Sequence, residues 1–448
     1  MLEYDKYPMK KYIHFDRRVR IEKKESYLTN RNRIALHSFL PFIHYKDSFD
    51  RNIGQKNPDM DYRPIKNKNR DIMYAGHLDN YIFKFYAEKL NCEYNSWTSS
   101  NQIDECSIAY RDNKDGSSNI EFAAEIINSI VQHEEAYIIV GDFTKYFDYL
   151  NHKILKERVK TVLKTSLLEE DWYNVFRSVT KYGYYEKSFL EKKFGSDRFL
   201  RSKGTYSYFK QFKDFRAFQR EYKCEKNLDN YGIPQGTAIS AVLANVYSIN
   251  FDKEVQQIAK HYSGLYRRYS DDYIIVIPKK HNNDTTIAQI KEIDKQVRRL
   301  AEKDKIIIQE EKTGLFEYSN EILTDIEENK ESHLDYLGFV FDGANVQMRG
   351  KSPYKFYRKA NQLIDKAISV KEKKKLDKIP YRKSIYSQYT DLGTERKPYG
   401  NFITYAKKAQ NSFDKISPKT NNLMMQQIKN RKKKIEKKLG IRIHSKSF

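Results

Sequence analysis

Two adjacent aspartates, Asp271 and Asp272, follow Tyr269-Ser270 between Arg267-Arg268 and the apolar run Tyr273-Ile274-Ile275-Val276-Ile277. Charge so concentrated between apolar-leaning stretches predicts a β-hairpin that drives two carboxylates into its tight turn. Oxygen-only, carboxylate-rich sites suit Mg²⁺. A solvated turn is the ordinary alternative for Asp-Asp alone, so the pair gains its weight from a second acidic strand end far upstream. In Val140-Gly141-Asp142-Phe143-Thr144-Lys145-Tyr146-Phe147-Asp148, Asp142 terminates the predicted apolar strand Ala136-Tyr137-Ile138-Ile139-Val140. If that strand lies beside the hairpin, Asp142 and Asp271 come within reach of a shared pair of cations. Two metals about 4 Å apart activate an attacking 3′-oxygen and stabilise a departing pyrophosphate. Without cations, carboxylates packed so closely would repel and protonate. A helix cap after a strand is the alternative for Asp142 alone.

Composition narrows the class. The 448 residues carry a net charge of +23, and its distribution is uneven. Residues 351–448 hold 27 Lys+Arg against 7 Asp+Glu, while the first 350 hold 56 against 53. A polyanion neutralised by such a segment releases counterions, which predicts salt-sensitive nucleic-acid binding. A solvated helical face or a basic tail is the alternative for Arg431-Lys432-Lys433-Lys434. Aromatics interleave with the cations at Tyr354, Phe356, Tyr357, Tyr381 and Tyr386, which favours backbone contact with some stacking. Cys92, Cys106 and Cys224 have no paired spacing, so neither a disulfide framework nor a zinc site is suggested. The polar start reads as no cleavable leader, and no apolar run approaches a membrane span, so a cytoplasmic protein with no membrane partner is expected.

Along the chain, residues 1–60 read as a basic helical extension, and the basic stretch around Arg63, Lys66, Lys68 and Arg70 as turn-rich. An amphipathic helix is predicted over 118–133, mostly helix over 153–230, a turn then a helix over 232–252, and a helix over 284–302. A strand is predicted at Lys305-Ile306-Ile307-Ile308, an apolar hairpin from Leu334 to Met348, and basic helices thereafter. Strand–helix alternation with antiparallel hairpins indicates an α+β layer architecture.

Taken in order over roughly residues 35–350, these stretches resemble the motifs of a reverse transcriptase. Asp142 to Asp148 is similar to motif A, in which the first aspartate binds both metals and the next residue, here Phe143, lends its carbonyl. Gly232-Ile233-Pro234-Gln235-Gly236-Thr237-Ala238-Ile239-Ser240 resembles motif B, which contacts template and incoming nucleotide. Tyr269 to Asp272 resembles motif C. Glu311-Lys312-Thr313 resembles motif D, whose lysine is a candidate general acid for pyrophosphate. Leu334-Asp335-Tyr336-Leu337-Gly338-Phe339 resembles the primer-grip hairpin.

The resemblance implies a right-hand polymerase: an N-terminal extension over 1–60, fingers and palm over 61–350, and a basic helical thumb over 351–448. It implies Asp142, Asp271, Asp272 and Lys312 as catalytic, with Asp142, Phe143, Asp271 and Asp272 holding two Mg²⁺ (Mn²⁺ as the alternative ion). Arg70 and Lys68 are the expected triphosphate clamp, Gln235 and Gly236 meet the nascent pair, and Phe147 stands where the family carries its sugar gate. A core aromatic is the alternative for Phe147, and a plain loop for 234–236. Tyr269, Leu337, Gly338, Lys351, Lys355 and Arg358 are the expected nucleic-acid contacts, and the histidines read as structural.

The finer resemblance is to prokaryotic defence-associated, abortive-infection-like enzymes, on His37-Ser38-Phe39-Leu40-Pro41-Phe42, Tyr74-Ala75-Gly76-His77-Leu78-Asp79 and the run from Asp142 to His152. It implies dNTP as substrate, a DNA product and a non-coding RNA template, with a homo-oligomer left open. Untemplated or protein-primed DNA synthesis, RNA synthesis and a non-catalytic RNA-binding scaffold are the competing readings. Residues 172–230, an unusually long connection between motifs A and B, point to RNA recognition or self-assembly.

Overall fold

The computed structural model describes residues 2–52, 65–114, 116–279, 285–395 and 399–443, with side chains left out at 49–52 and 65–68. Its strands are β1 (Phe42–Asn52), β2 (Ile65–Tyr74), β3 (Ala136–Asp142), β4 (Gly183–Glu186) and β5 (Glu225–Lys226). Next come β6 (Leu265–Tyr269), β7 (Asp272–Pro278), β8 (Gly314–Ser319), β9 (Ile322–Asp325) and β10 (Lys330–Glu331). The last are β11 (Leu334–Tyr336), β12 (Phe339–Phe341), β13 (Asn345–Met348) and β14 (Asn421–Asn422). With the helices between and after them, the architecture is α+β. The chain divides into two compact units.

The first unit comprises 1–113, 143–255 and 297–309. Its sheet runs β2-β1-β4-β5, with β1 and β2 an antiparallel hairpin and β1 parallel to β4 at Phe42↔Tyr184 to His44↔Glu186. The long helix His77–Ser100 begins at Gly76, which has no side chain to cap it. Asp16 substitutes from a distant part of the chain: its carboxylate accepts the His77 and Leu78 N–H groups at 3.0 and 3.1 Å. Two stretches read from sequence as helical or turn-rich, 42–52 and 65–74, are in fact this hairpin. Among its described side chains only Phe42, Ile43 and His44, at the base, are buried, and the sequence of its outer part shows no period-2 alternation. The expected strand at 305–308 is a single bridge, Phe143↔Ile308; its first two residues instead close the end of the helix Ile287–Lys303, Lys305 N–H donating to Glu302 O and Ile306 N–H to Ala301 O.

The second unit comprises 114–142, 256–296 and 310–448. Its six-stranded sheet has the order β10-β9-β8-β3-β7-β6, antiparallel throughout. The helix Asn119–Gln132 covers it with Ile120, Ile126, Ile127 and Ile130, and starts in a capping box between Ser118 and Glu121. A second sheet, β11-β12-β13-β14, shares one apolar core with the helices Lys351–Lys373, Arg382–Tyr389, Phe402–Ile416 and Arg431–Leu439. Those four helices hold 18 Lys+Arg against 4 Asp+Glu, yet their inward stripes are apolar: Phe356, Ala360, Ile364 and Ala367 on the first of them.

Candidate active site

Strand register assembles the acidic residues. β3 and β7 pair from Ala136↔Pro278 to Asp142↔Asp272, which sets the two carboxylates side by side at the sheet's end. On the other flank β3 pairs with β8 up to Val140↔Gly314, and continuing that register by two residues brings Lys312 level with Asp142. Lys312 Nζ stands 2.8 Å from Asp142 Oδ2. On the far side β6 pairs Tyr269 with Asp272. Because side chains alternate along a strand, a single row crosses the sheet: Lys312, Asp142, Asp272, Tyr269. Asp271 belongs to the two-residue turn that joins β6 to β7.

That turn is held under constraint. Ser270 has φ +61°, a left-handed conformation that favours glycine. Its carbonyl accepts a 2.8 Å bond from Nη1 of Arg268, which is wholly buried. A buried guanidinium is costly unless its donors are used, so Arg268 is a structural clamp on the residue before Asp271. The face opposite the acidic row has its own requirement. Gly141 lies across from Tyr273, and a Cβ on Gly141 would collide with the Tyr273 ring. Neither Gly141 nor Arg268 was singled out from sequence as functional. The signal for Arg268 was an arginine at an inward position in β6, whose burial alternates through Tyr266 and Arg268.

Burial first, then the neighbouring Asp271 and Asp142 charges, push the Asp272 carboxyl up to about 7. Asp271 is also raised, by burial and then by Asp142. Negative charge here exceeds what Lys312 compensates. An oxygen-only donor set with that excess fits a hard divalent cation. Among the described residues no three His, Cys, Asp or Glu side chains converge as a ready cage for an ion; Asp142 engages Lys312 instead.

The other residues predicted from sequence fall in both units. In the second, Leu337 (φ +47°) and Gly338 (φ +97°) form the two-residue turn between β11 and β12. The Leu337 carbonyl accepts from Asn119 Nδ2 at 2.9 Å, and Tyr269 packs near Phe122. Lys351, Lys355 and Arg358 are exposed along the outer side of their helix, opposite buried Pro353 and Phe356. In the first unit, Gly236 has φ +118°, and a Cβ there would meet the Met73 carbonyl at 2.5 Å. Met73 N–H in turn donates to Gln235 O at 2.8 Å, so the loop is stitched to β2. Gln235 Nε2 donates to Asp148 Oδ1 at 3.2 Å. Thr237 caps the helix Ala238–Tyr247 by accepting from Ser240 N–H. Phe143 is buried, and the half-buried Phe147 meets Tyr146 edge-on. Arg70 is exposed on β2, while Lys68 falls where the side chain lies outside the described residues. His152 Nε2–H donates to Gly232 O at 2.7 Å, a structural role.

A family model described as reverse transcriptase (RNA-dependent DNA polymerase) matches residues 80–341, more than half of the chain. Among solved structures, the chain is similar to apo telomerase of Candida tropicalis truncated from its C-terminal domain. The identity is 13% over 62% of this chain and 52% of that one, with a TM-score of 0.41. It is similar to Candida albicans telomerase in complex with a TWJ fragment of telomeric RNA, at 12% identity, 94% and 66% coverage and a TM-score of 0.42. It is also similar to the RNA-dependent RNA polymerase of a human picobirnavirus, at 10% identity, 68% and 43% coverage and a TM-score of 0.35. The chain thus spans about half the length of the first of these structures. No curated protein matches it.

Proposed function

The chain belongs to the reverse transcriptase family, and from that premise we propose that it extends DNA on an RNA template by metal-dependent nucleotidyl transfer. What most supports the reading is the row Lys312–Asp142–Asp272, from the turn preceding β8 across β3 to β7, with Asp271 in the adjoining turn. Reverse transcriptases in general use divalent cations. In this chain Asp142, Asp271 and Asp272, with the Phe143 carbonyl, would hold two Mg²⁺ or, as the alternative, Mn²⁺. Bound there, the ions supply Lewis-acid activation of a primer 3′-oxygen and stabilise charge on the departing pyrophosphate.

The remaining work is assigned to the chain's own groups. Lys312 holds a proton at Nζ for the leaving pyrophosphate. Arg70 and Lys68 clamp the dNTP triphosphate, as charge-assisted donors do. Gln235 and Gly236 allow close backbone approach to the nascent base pair, and Phe147 excludes a ribose 2′-OH. Tyr269, Leu337 and Gly338 position the primer end, and Lys351, Lys355 and Arg358 neutralise backbone phosphates. The corresponding parts are an extension over 1–60, fingers and palm over 61–350 and a thumb over 351–448. The template is a non-coding RNA and the setting cytoplasmic antiphage defence, supported by the phrases around His37, Tyr74 and Asp142; no described helix is long and apolar enough to cross a membrane.

Sequencing the product made by the purified protein with its co-purifying RNA tests the reading. The expected product is DNA complementary to that RNA. A product unrelated to it, or one built of ribonucleotides, would reject RNA-directed DNA synthesis.

A further inference from the structure

The charge surplus of the first 350 residues is concentrated in one place. Residues 187–226 hold 12 Lys+Arg against 5 Asp+Glu, leaving 44 against 48 for the rest of that span. This segment lies in the first unit, in the connection between Asp148 and Gly232. Its three helices, Lys187–Phe194, Asp197–Ser202 and Phe212–Glu221, build a small aromatic core of their own. Leu200, Tyr208, Phe215 and Phe218 bury themselves against Ile13 and Phe15 of the N-terminal arm. The arm is fixed there by Tyr208 N–H on His14 O at 2.9 Å and by the Arg201 guanidinium on Lys11 O at 3.1 Å. The arm itself carries Lys10, Lys11, Arg17, Arg18 and Arg20, and Arg18 reaches this segment at Tyr206.

With that core already filled, three large rings stay out in solvent: Phe199 at 47%, Tyr206 at 50% and Phe212 at 58% exposure. Two of them carry a cation. Lys203 Nζ lies 4.4 Å from the Phe199 centroid, and the Arg18 guanidinium lies 4.8 Å from that of Tyr206. Phe212 heads an i, i+4, i+8 stripe with the exposed Arg216 and Arg220, opposite the buried Phe215 and Phe218.

We propose that residues 187–226 and the arm at 10–20 form a second RNA-binding surface, shaped for single-stranded RNA. Exposed rings set among cations are what an unstructured strand needs, the cations taking its phosphates and the rings stacking its bases. A merely solvated face has no use for three exposed rings. A second copy of the chain is disfavoured, because a two-fold contact would set like charges against each other. The choice of RNA over DNA rests on the function proposed above; the surface itself does not.

The test is equilibrium binding of the full chain to a labelled oligouridylate of about 20 nucleotides, long enough for at least one such site. It is run without dNTP and in EDTA across a salt series. Lys203→Ser/Lys210→Ser/Lys213→Ser should reduce the slope of log K against log salt by about 2, at roughly 0.7 per lost phosphate contact. Phe199→Ala/Tyr206→Ala should weaken binding about tenfold with a smaller change of slope. Photocrosslinking of wild type to a 4-thiouridine oligomer should label peptides within 197–213. Affinities of both variants within twofold of wild type, with crosslinks confined to 351–443, would overturn the proposal. Tighter binding of the deoxy oligomer would overturn the RNA assignment, and a wild-type dimer lost in the variants would overturn it in favour of self-association. Since neither metal nor dNTP is present, a chain that binds here yet makes no DNA sinks the proposed polymerase and leaves this surface standing.

Discussion

The two larger sheets are built on opposite terms. In the second unit, β3 and β7 are apolar on both faces, and Ile138, Ile139, Ile274, Ile275, Val276 and Ile277 are all fully buried. β3 is locked by seven pairs to β7 and five to β8, so a one-residue slip would misplace every core side chain. In the first unit, β1 and β2 are longer, yet among their described side chains only those at the base of β1 are buried, while Lys46, Asp47, Ser48, Asn69 and Arg70 stand exposed. Where chemistry demands side chains at fixed separations, they ride on the over-determined sheet. On the proposed assignment, Arg70, the cation that meets the triphosphate, rides on a polar arm. Substitutions should therefore cost fold and chemistry together on the first sheet, and chemistry alone on the second.

The largest effect expected is at Gly141. Gly141→Ala drives a methyl into the Tyr273 ring and should cost about 3 kcal/mol and abolish nucleotide incorporation. Adding Tyr273→Val should recover much of the melting temperature; no recovery in the double variant would break the account of that face. Lys312→Met, which removes the cation beside Asp142 and the assigned proton donor, should lower kcat about 10²-fold with dNTP KM little changed. A purely KM effect would remove Lys312 from the chemistry.

At limiting Mg²⁺, incorporation should fall about tenfold per pH unit below about 7, because a protonated Asp272 cannot accept a cation. Excess Mg²⁺ should move that limb to lower pH, and a limb indifferent to Mg²⁺ would assign it to another group. Smallest is Arg70→Ala, expected to raise dNTP KM about tenfold while leaving the melting temperature within about 2 °C. A large stability loss there would erase the contrast between the sheets.

The same contrast explains what could be read in advance. β3 announced itself as an apolar run stopped by Gly141-Asp142, and the helix Asn119–Gln132 by its periodicity. The β1–β2 hairpin did not, since Lys-Asn-Lys-Asn-Arg-Asp over 66–71 offers no apolar–polar alternation. The acidic residues were visible as residues, whereas their alignment with Lys312 comes only from the order β8-β3-β7, which joins segments far apart in sequence. Arg268 was hidden because a buried arginine looks, in sequence, like any charge beside a turn. The long connection at 172–230, rich in Phe, Tyr and Lys, was visible, but which rings fill the core and which stay exposed is decided by packing against Ile13 and Phe15.

The most direct measurement is Mg²⁺-dependent dNTP incorporation by Asp271→Ala/Asp272→Ala beside wild type, on the same RNA template and primer. Incorporation by wild type, lost on chelation and absent from a variant that still melts as a folded protein, is the predicted result. Undiminished incorporation by the variant would contradict it.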